Sequence, residues 1–248
     1  MAKLNEKEFY EKVGKTNGWD FSKLQVTVEG MRWDFHDEVK KMSKSTDVLL
    51  DVGTGGGESL LQLASSFQFL VGIDLSATMI ETAQKNVKDS QISNVRFTQM
   101  SSDHLLFPEE FFDIVTCRHA PFCSKEIARV LKSGGSFLTQ QVGEMDKLNL
   151  KQAFKRGHTM HKDGALCSMY VKELYDAGFS EIQTFEYDAT DYYHRPEDLI
   201  FLLKHTPTIP QFGEKQDDFE ILEKFIRENT TSKGIRTNSK RFLIVAKK

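Results

Sequence analysis

The residues whose types and spacing could do chemistry begin with Asp51, which stands two positions before the glycines of Gly53-Thr54-Gly55-Gly56-Gly57. Glycines at 53, 55 and 57 let a backbone turn sharply and approach a ligand closely, because no Cβ stands in the way. A dinucleotide fingerprint G-x-G-x-x-G starting at Gly53 would need glycine at 58, where the chain has Glu58. A carboxylate at Asp51 repels a pyrophosphate but suits a ligand carrying an ammonium and a sulfonium. A second acid, Asp74, lies 17 residues after Gly57 and is spaced to accept hydrogen bonds from both hydroxyls of a ribose. A histidine, His119, titrates near neutrality and could contact a substrate or take a proton from a hydroxyl or amine.

These residues need elements to hold them. Val48, Leu49 and Leu50 form an unalternated apolar run, as expected of a strand buried on both faces of a parallel sheet. From Glu58 the pattern turns helical through Leu60, Leu61 and Ala64, so strand, glycine turn and helix N-terminus make a nucleotide-binding crevice at a strand's carboxyl end. A second strand, Phe69 to Asp74, leads through the N-cap Ser76 into a helix over Ala77–Val87. Val95 to Met100 and Phe112–Cys117 read as the third and fourth strands. A helix over Ser124–Leu131, a turn at Lys132-Ser133-Gly134-Gly135 and a fifth strand Ser136–Val142 follow. One of Gln140 and Gln141, at the end of that strand, must point toward the crevice by alternation.

The pattern acid-x-Gly-x-Gly-x-Gly resembles the first motif of class I S-adenosylmethionine (SAM) dependent methyltransferases, and Gly72-Ile73-Asp74-Leu75-Ser76 their second. The stretch Ser101 to Val115 is similar to that of the ubiquinone and menaquinone biosynthesis methyltransferases and their relatives of methyltransferase type 11, and Glu126 to Gly135 matches a structural stretch of the superfamily. The resemblance implies SAM as cofactor and S-adenosylhomocysteine as product. It implies cofactor contacts from Asp51, Gly53, Thr54, Gly55, Gly57, Asp74, Leu75, Ser101, Ser102, Asp103 and Arg118. At the adenine-reading position the chain carries Ser101 where relatives carry Asp, with Asp103 two residues later. The carboxyl end of the fourth strand faces the transferred methyl in that family, which makes His119 the candidate catalytic residue, as a substrate contact or general base. A purely packing role is the equal rival. Segments before the first strand often close the substrate pocket in such enzymes, so Trp33 and His36 are candidate substrate contacts, joined by Gln140 at the end of the fifth strand and Tyr193 in the inserted lid, with packing or surface roles as the alternatives.

The expected fold is therefore α/β: a Rossmann-like, seven-stranded, mostly parallel sheet whose last strand, Arg241–Ala246, is antiparallel. Residues 1–44 are expected to form a helical cap, from helices over Asn5–Gly14 and Val28–Met42. Residues 45–145 would form the SAM-binding core, and 146–248 would complete the sheet with a helical lid inserted at about 190–238. A sixth strand is expected over Glu181–Asp188.

At 248 residues with a net charge of -3, nothing forces a nucleic-acid or anionic-membrane partner. Three cysteines without a C-x-x-C pair argue against a disulfide framework or a structural zinc. No run approaches the roughly 18–20 apolar residues of a membrane span. The expectation is a soluble, cytoplasmic monomer or homodimer without a metal. It would methylate an O, N or C nucleophile of a small molecule. An RNA-base methyltransferase and a SAM-binding protein without catalysis are the rival readings, and a dehydrogenase is the weakest.

Overall fold

The computed structural model describes residues 24–157 and 161–248; the expected helix over 5–14 lies outside them. The strands are β1 (Val26–Glu29), β2 (Val48–Val52), β3 (Phe69–Asp74), β4 (Val95–Gln99), β5 (Phe112–Arg118), β6 (Leu131–Val142), β7 (Ser180–Tyr193), β8 (Thr230–Thr231) and β9 (Gly234–Lys247). The helices are α1 (Phe35–Met42), α2 (Glu58–Leu61), α3 (Ala77–Ser90), α4 (Ser124–Val130), α5 (Leu148–Phe154), α6 (Ala165–Asp176), α7 (Pro196–His205) and α8 (Asp218–Asn229). One sheet runs in the order β1-β7-β9-β6-β5-β2-β3-β4, with β8 paired to β9. β4, β3, β2, β5 and β6 are parallel neighbours, while β9 runs antiparallel to both β6 and β7. The seven expected strands are all present; β1 and β8 bring the sheet to nine.

The apolar runs of β2, β3 and β5 are buried on both faces, because helices cover both sides of a parallel sheet. One face packs Leu50, Val115 and Phe137 against Ile127 and Val130 of α4 and Leu174 of α6. The other packs Leu49, Ile114 and Leu138 against Phe35 and Val39 of α1, Leu60 of α2, and Ile80 and Ala83 of α3. Alternation along each strand then decides which polar side chains emerge on the α1 face, where the site forms.

Three expectations change. Val26–Glu29 is an edge strand, so Val28 and Glu29 are not the start of the expected helix, because the strand's backbone pairs with Thr190–Tyr193 of β7. The helix that follows is correspondingly short and starts at Asp34, whose carboxylate caps the Asp37 N–H at 3.1 Å. The Lys132–Gly135 turn is a looped-out bulge within β6, since Leu131 pairs with Phe112 and Ser136 with Ile114. Finally, β7 runs to Tyr193 and β9 begins at Gly234, so the inserted segment is 194–233.

Register places this insert. Val142, the last residue of β6, pairs with Arg241, so Gly234–Lys240 of β9 and Asp188–Tyr193 of β7 project past the carboxyl ends of the parallel strands. Around that projection α5, α7 and α8 build a separate small core from Leu150, Phe154, Leu199, Leu203, Leu222 and Phe225. This cap stands beside the crevice. No helix among the described residues is long and apolar enough to cross a membrane.

Candidate active site

The site is built at the carboxyl ends of β2, β3, β5 and β6. Gly53, Gly55 and Gly57 have φ of 73°, 57° and 78°, the left-handed region that side chains disfavour. The turn is stitched to β3 by the Gly53 and Thr54 N–H groups, both donating to the Ile73 carbonyl at 2.9 Å. A Cβ at Gly57 would lie 2.4 Å from Phe97 Cζ, and one at Gly53 would lie 2.2 Å from the Ala120 Cβ. Gly57→Ala is therefore expected to cost about 1–3 kcal/mol from overpacking and left-handed strain together. A urea titration checks it, and unchanged stability would show that Phe97 moves freely aside.

Asp74 holds the turn from the other side. Its Oδ2 accepts the Gly55 N–H and its Oδ1 the Ser76 N–H, each at 2.9 Å. A carboxylate offers about four lone-pair sites. Leu75, next in the chain, is 48% exposed, an apolar surface free to lie against a ring. Ser101 and Ser102 are part-buried and Asp103 is exposed. The Ser101 hydroxyl turns back to accept the Asp103 N–H at 3.2 Å, a local turn that partly occupies it.

Asp51 emerges at the end of β2, where Thr116 of β5 donates its hydroxyl to Oδ1 at 2.7 Å. Packing around it strips water from the carboxylate and raises its pKa to about 6, against the opposing Thr116 bond. Since the folded pKa lies above the ordinary 3.8, the ionised form costs stability, fully so above pH 6, and the cost disappears as pH falls toward 4. Binding of a cationic ligand has the opposite demand: it needs the ionised form. Affinity for such a ligand is expected to fall about tenfold per pH unit below 6, with proton release on binding near that pH. Calorimetry in buffers of different ionisation enthalpy reads this directly. Asp51→Asn should flatten the profile and leave stability at pH 7 equal or higher.

The α1 face supplies the remaining side chains. Arg118 donates to the Ser59 hydroxyl at 3.4 Å, and Ser59 is in turn 2.5 Å from His36 Nε2. Burial first, then the Arg118 charge, lowers the His36 pKa. Gln140 is buried; its Oε1 accepts the Trp33 indole N–H at 2.8 Å and its Nε2 lies 3.1 Å from His119 Nε2. The Trp33 ring rests on Tyr187, centroids 4.5 Å apart. His119 has φ 57° and its N–H donates to the Gln140 carbonyl at 2.9 Å. Its surface opens to the crevice, yet packing on all other sides, with Arg241 and Arg118 nearby, holds its pKa well below the usual imidazole value.

The structure thus brings together Asp51, the glycine turn, Asp74, Arg118, His119, Gln140, Trp33 and His36. It does not bring in Tyr193. That residue is 3% exposed in the cap core, six positions along β7 from Tyr187 and so roughly 20 Å away. Thr116, Ser59, Tyr187 and Arg241 were not foreseen. Ser59, two residues after Gly57, had a local signal; the others come together only through strand register.

The residues fit a ligand with a cationic amino-acid end and a ribose. The positive-φ glycines leave the turn's backbone bare of side chains at 53, 55 and 57, and a buried carboxylate held by Thr116 stands at its mouth. Residues 49–135 match a family model described as a methyltransferase domain. The matched stretch, which holds Asp51, the glycine turn and Asp74, is thus that of a methyltransferase domain. An uncharacterized methyltransferase, YcgJ of Bacillus subtilis, is 37% identical over 97 residues, covering 36% of this chain and 38% of the relative. The demethylmenaquinone methyltransferase of Lactococcus lactis is 29% identical over 168 residues, covering 62% of this chain and 66% of that one. The chain thus matches less than two thirds of the length of either relative. The crystal structure of the Bacillus YcgJ protein superposes with a TM-score of 0.64 at 22% identity, over 86% of this chain and 97% of that one, a likeness of fold. Among the described residues no group of three or more His, Cys, Asp or Glu side chains is placed to hold a metal.

Proposed function

We propose that this methyltransferase transfers a methyl group to an oxygen, nitrogen or carbon nucleophile of a small molecule, leaving S-adenosylhomocysteine. The observation that carries the reading is the paired use of two carboxylates: Asp74 fastens the glycine turn through the Gly55 N–H, and Asp51 is held by Thr116 at its mouth. In this reading Asp51 faces the cationic end of the cofactor, the Gly53–Gly57 backbone lies along it, and Asp74 takes the ribose hydroxyls. Leu75 and Ser101 to Asp103 border the adenine. When bound, SAM supplies an electrophilic methyl group on a sulfonium. His119, Gln140, Trp33 and His36 then line the acceptor's side, with Arg118 between them and the cofactor, and their task is chiefly to hold the nucleophile in line with that methyl.

A small molecule is favoured by the cap beside the crevice and by the small-molecule acceptor in the name of the Lactococcus relative. Calorimetric titration with SAM, S-adenosylhomocysteine and NADH tests the reading. Micromolar binding of both sulfur ligands and none of NADH is expected; NADH binding without the other two would overturn it.

A further inference from the structure

We infer that Trp33 and Gln140 are positioning residues that lock His119 in the Nδ1–H tautomer, so that it donates a hydrogen bond to the methyl acceptor and takes no proton from it. The inference rests on the reading of this crevice as the site of methyl transfer. An indole N–H can only donate, so the atom facing Trp33 at 2.8 Å must be the Gln140 amide oxygen. The amide nitrogen must then face the other way, where it lies 3.1 Å from His119 Nε2. An amide NH2 also only donates, so Nε2 must present a lone pair, and the ring proton resides on Nδ1.

The backbone leaves the ring little freedom. The His119 N–H is fastened to the Gln140 carbonyl, in a left-handed conformation that a non-glycine residue adopts only when its surroundings impose it. Nδ1 has no hydrogen-bond partner among the described residues, and the residue opens to the crevice. The charged groups around it are Arg118 and Arg241, the latter bound to Asp146 at 2.5 Å. No carboxylate among the described residues touches the ring to support an imidazolium. A base with its available lone pair already engaged, and with two cations nearby, is poorly placed to accept a proton. The methyl acceptor is therefore a group that attacks without help from His119 and has a lone pair to spare: a carboxylate or an already ionised hydroxyl. It presents a lone pair to Nδ1–H.

Long-range proton–nitrogen NMR on the full chain with nitrogen-15 histidine tests this, because protonated and unprotonated ring nitrogens resonate far apart. The chain has seven histidines, and His119→Asn identifies the signal. A protonated Nδ1 and bare Nε2 are expected, with and without S-adenosylhomocysteine. Gln140→Glu replaces the donor with an acceptor-only carboxylate that still satisfies Trp33, and should move the proton to Nε2 or protonate both nitrogens. Trp33→Phe frees the amide to rotate and should give a mixture of tautomers. An Nε2–H tautomer in the unaltered protein, or a signal unmoved by both substitutions, would overturn the inference. Calorimetry of S-adenosylhomocysteine on the same samples keeps the two ideas apart: absent binding sinks the site reading, whereas the tautomer decides only the role of His119.

Discussion

Asp74→Ala is expected to weaken binding of SAM and S-adenosylhomocysteine by a hundredfold or more. Hydrogen bonds to a charged group contribute about 1.5–3 kcal/mol each, and the proposed pair to the ribose hydroxyls would be lost together. The same carboxylate accepts the Gly55 and Ser76 N–H groups, so its removal also loosens the glycine turn and the start of α3. Stability should fall by about 1–3 kcal/mol, the usual cost of a polar group left without its partner, and less if water reaches the turn. Asp74→Asn separates the effects. It keeps one acceptor oxygen for the turn but turns an NH2 toward the other of the Gly55 and Ser76 N–H groups, so stability should recover only in part while affinity stays low. Calorimetry and urea unfolding on both variants read the two quantities. If Asp74→Ala folds normally and binds both ligands at full affinity, the acid at the end of β3 has no part in the site.

The second large effect lies in the cap. Lys147, 2% exposed, pairs with Asp191 under α5, with Asn238 contributing a carbonyl at 3.1 Å. The second oxygen of Asp191 is buried with no hydrogen-bond partner in the structure, so the pair is incompletely compensated. Removing one member, by Asp191→Ala or Lys147→Met, should cost about 3–5 kcal/mol because the remaining charge is stranded away from water. The double variant Lys147→Met with Asp191→Leu should regain most of that loss, since a buried ion pair is often no better than well-packed apolar groups. The Asn238 carbonyl keeps the Lys147 backbone N–H at 3.3 Å in either case. Urea unfolding of the two single variants and the double one supplies the cycle. A double variant as unstable as the sum of the singles would mean zero coupling, so that each side chain acts independently and the ion pair is not what holds the cap to the sheet.

How much was legible beforehand followed sequence distance. Asp51, the glycines and Asp74 sit within two consecutive strand–turn–helix units, so strand ends, glycine φ values and the N-cap at Ser76 could be read from local pattern and spacing. The parallel core strands declared themselves by unalternated apolar runs. Val26–Glu29 did not, because a four-residue edge strand draws its stability from the neighbour it pairs with, and that neighbour, β7, lies more than 160 residues away. The end of β7 was misplaced for the same reason. Its polar residues Asp188 to Asp191 look like loop until β9 is seen opposite them.

Side-chain company divides the same way. Sequence alone determined the half of the crevice proposed to hold the cofactor: the acid before the glycines, the glycine turn, the second acid and the strands that carry them. These depend on backbone conformation and on groups a few residues apart. Only the tertiary structure decided the acceptor half. Trp33, Gln140 and His119 form one chain of hydrogen bonds, while Tyr193, with the same aromatic credentials, belongs to the cap core. Which face of a strand meets which helix is fixed by register across the sheet, and register is a property of partners far apart in the chain.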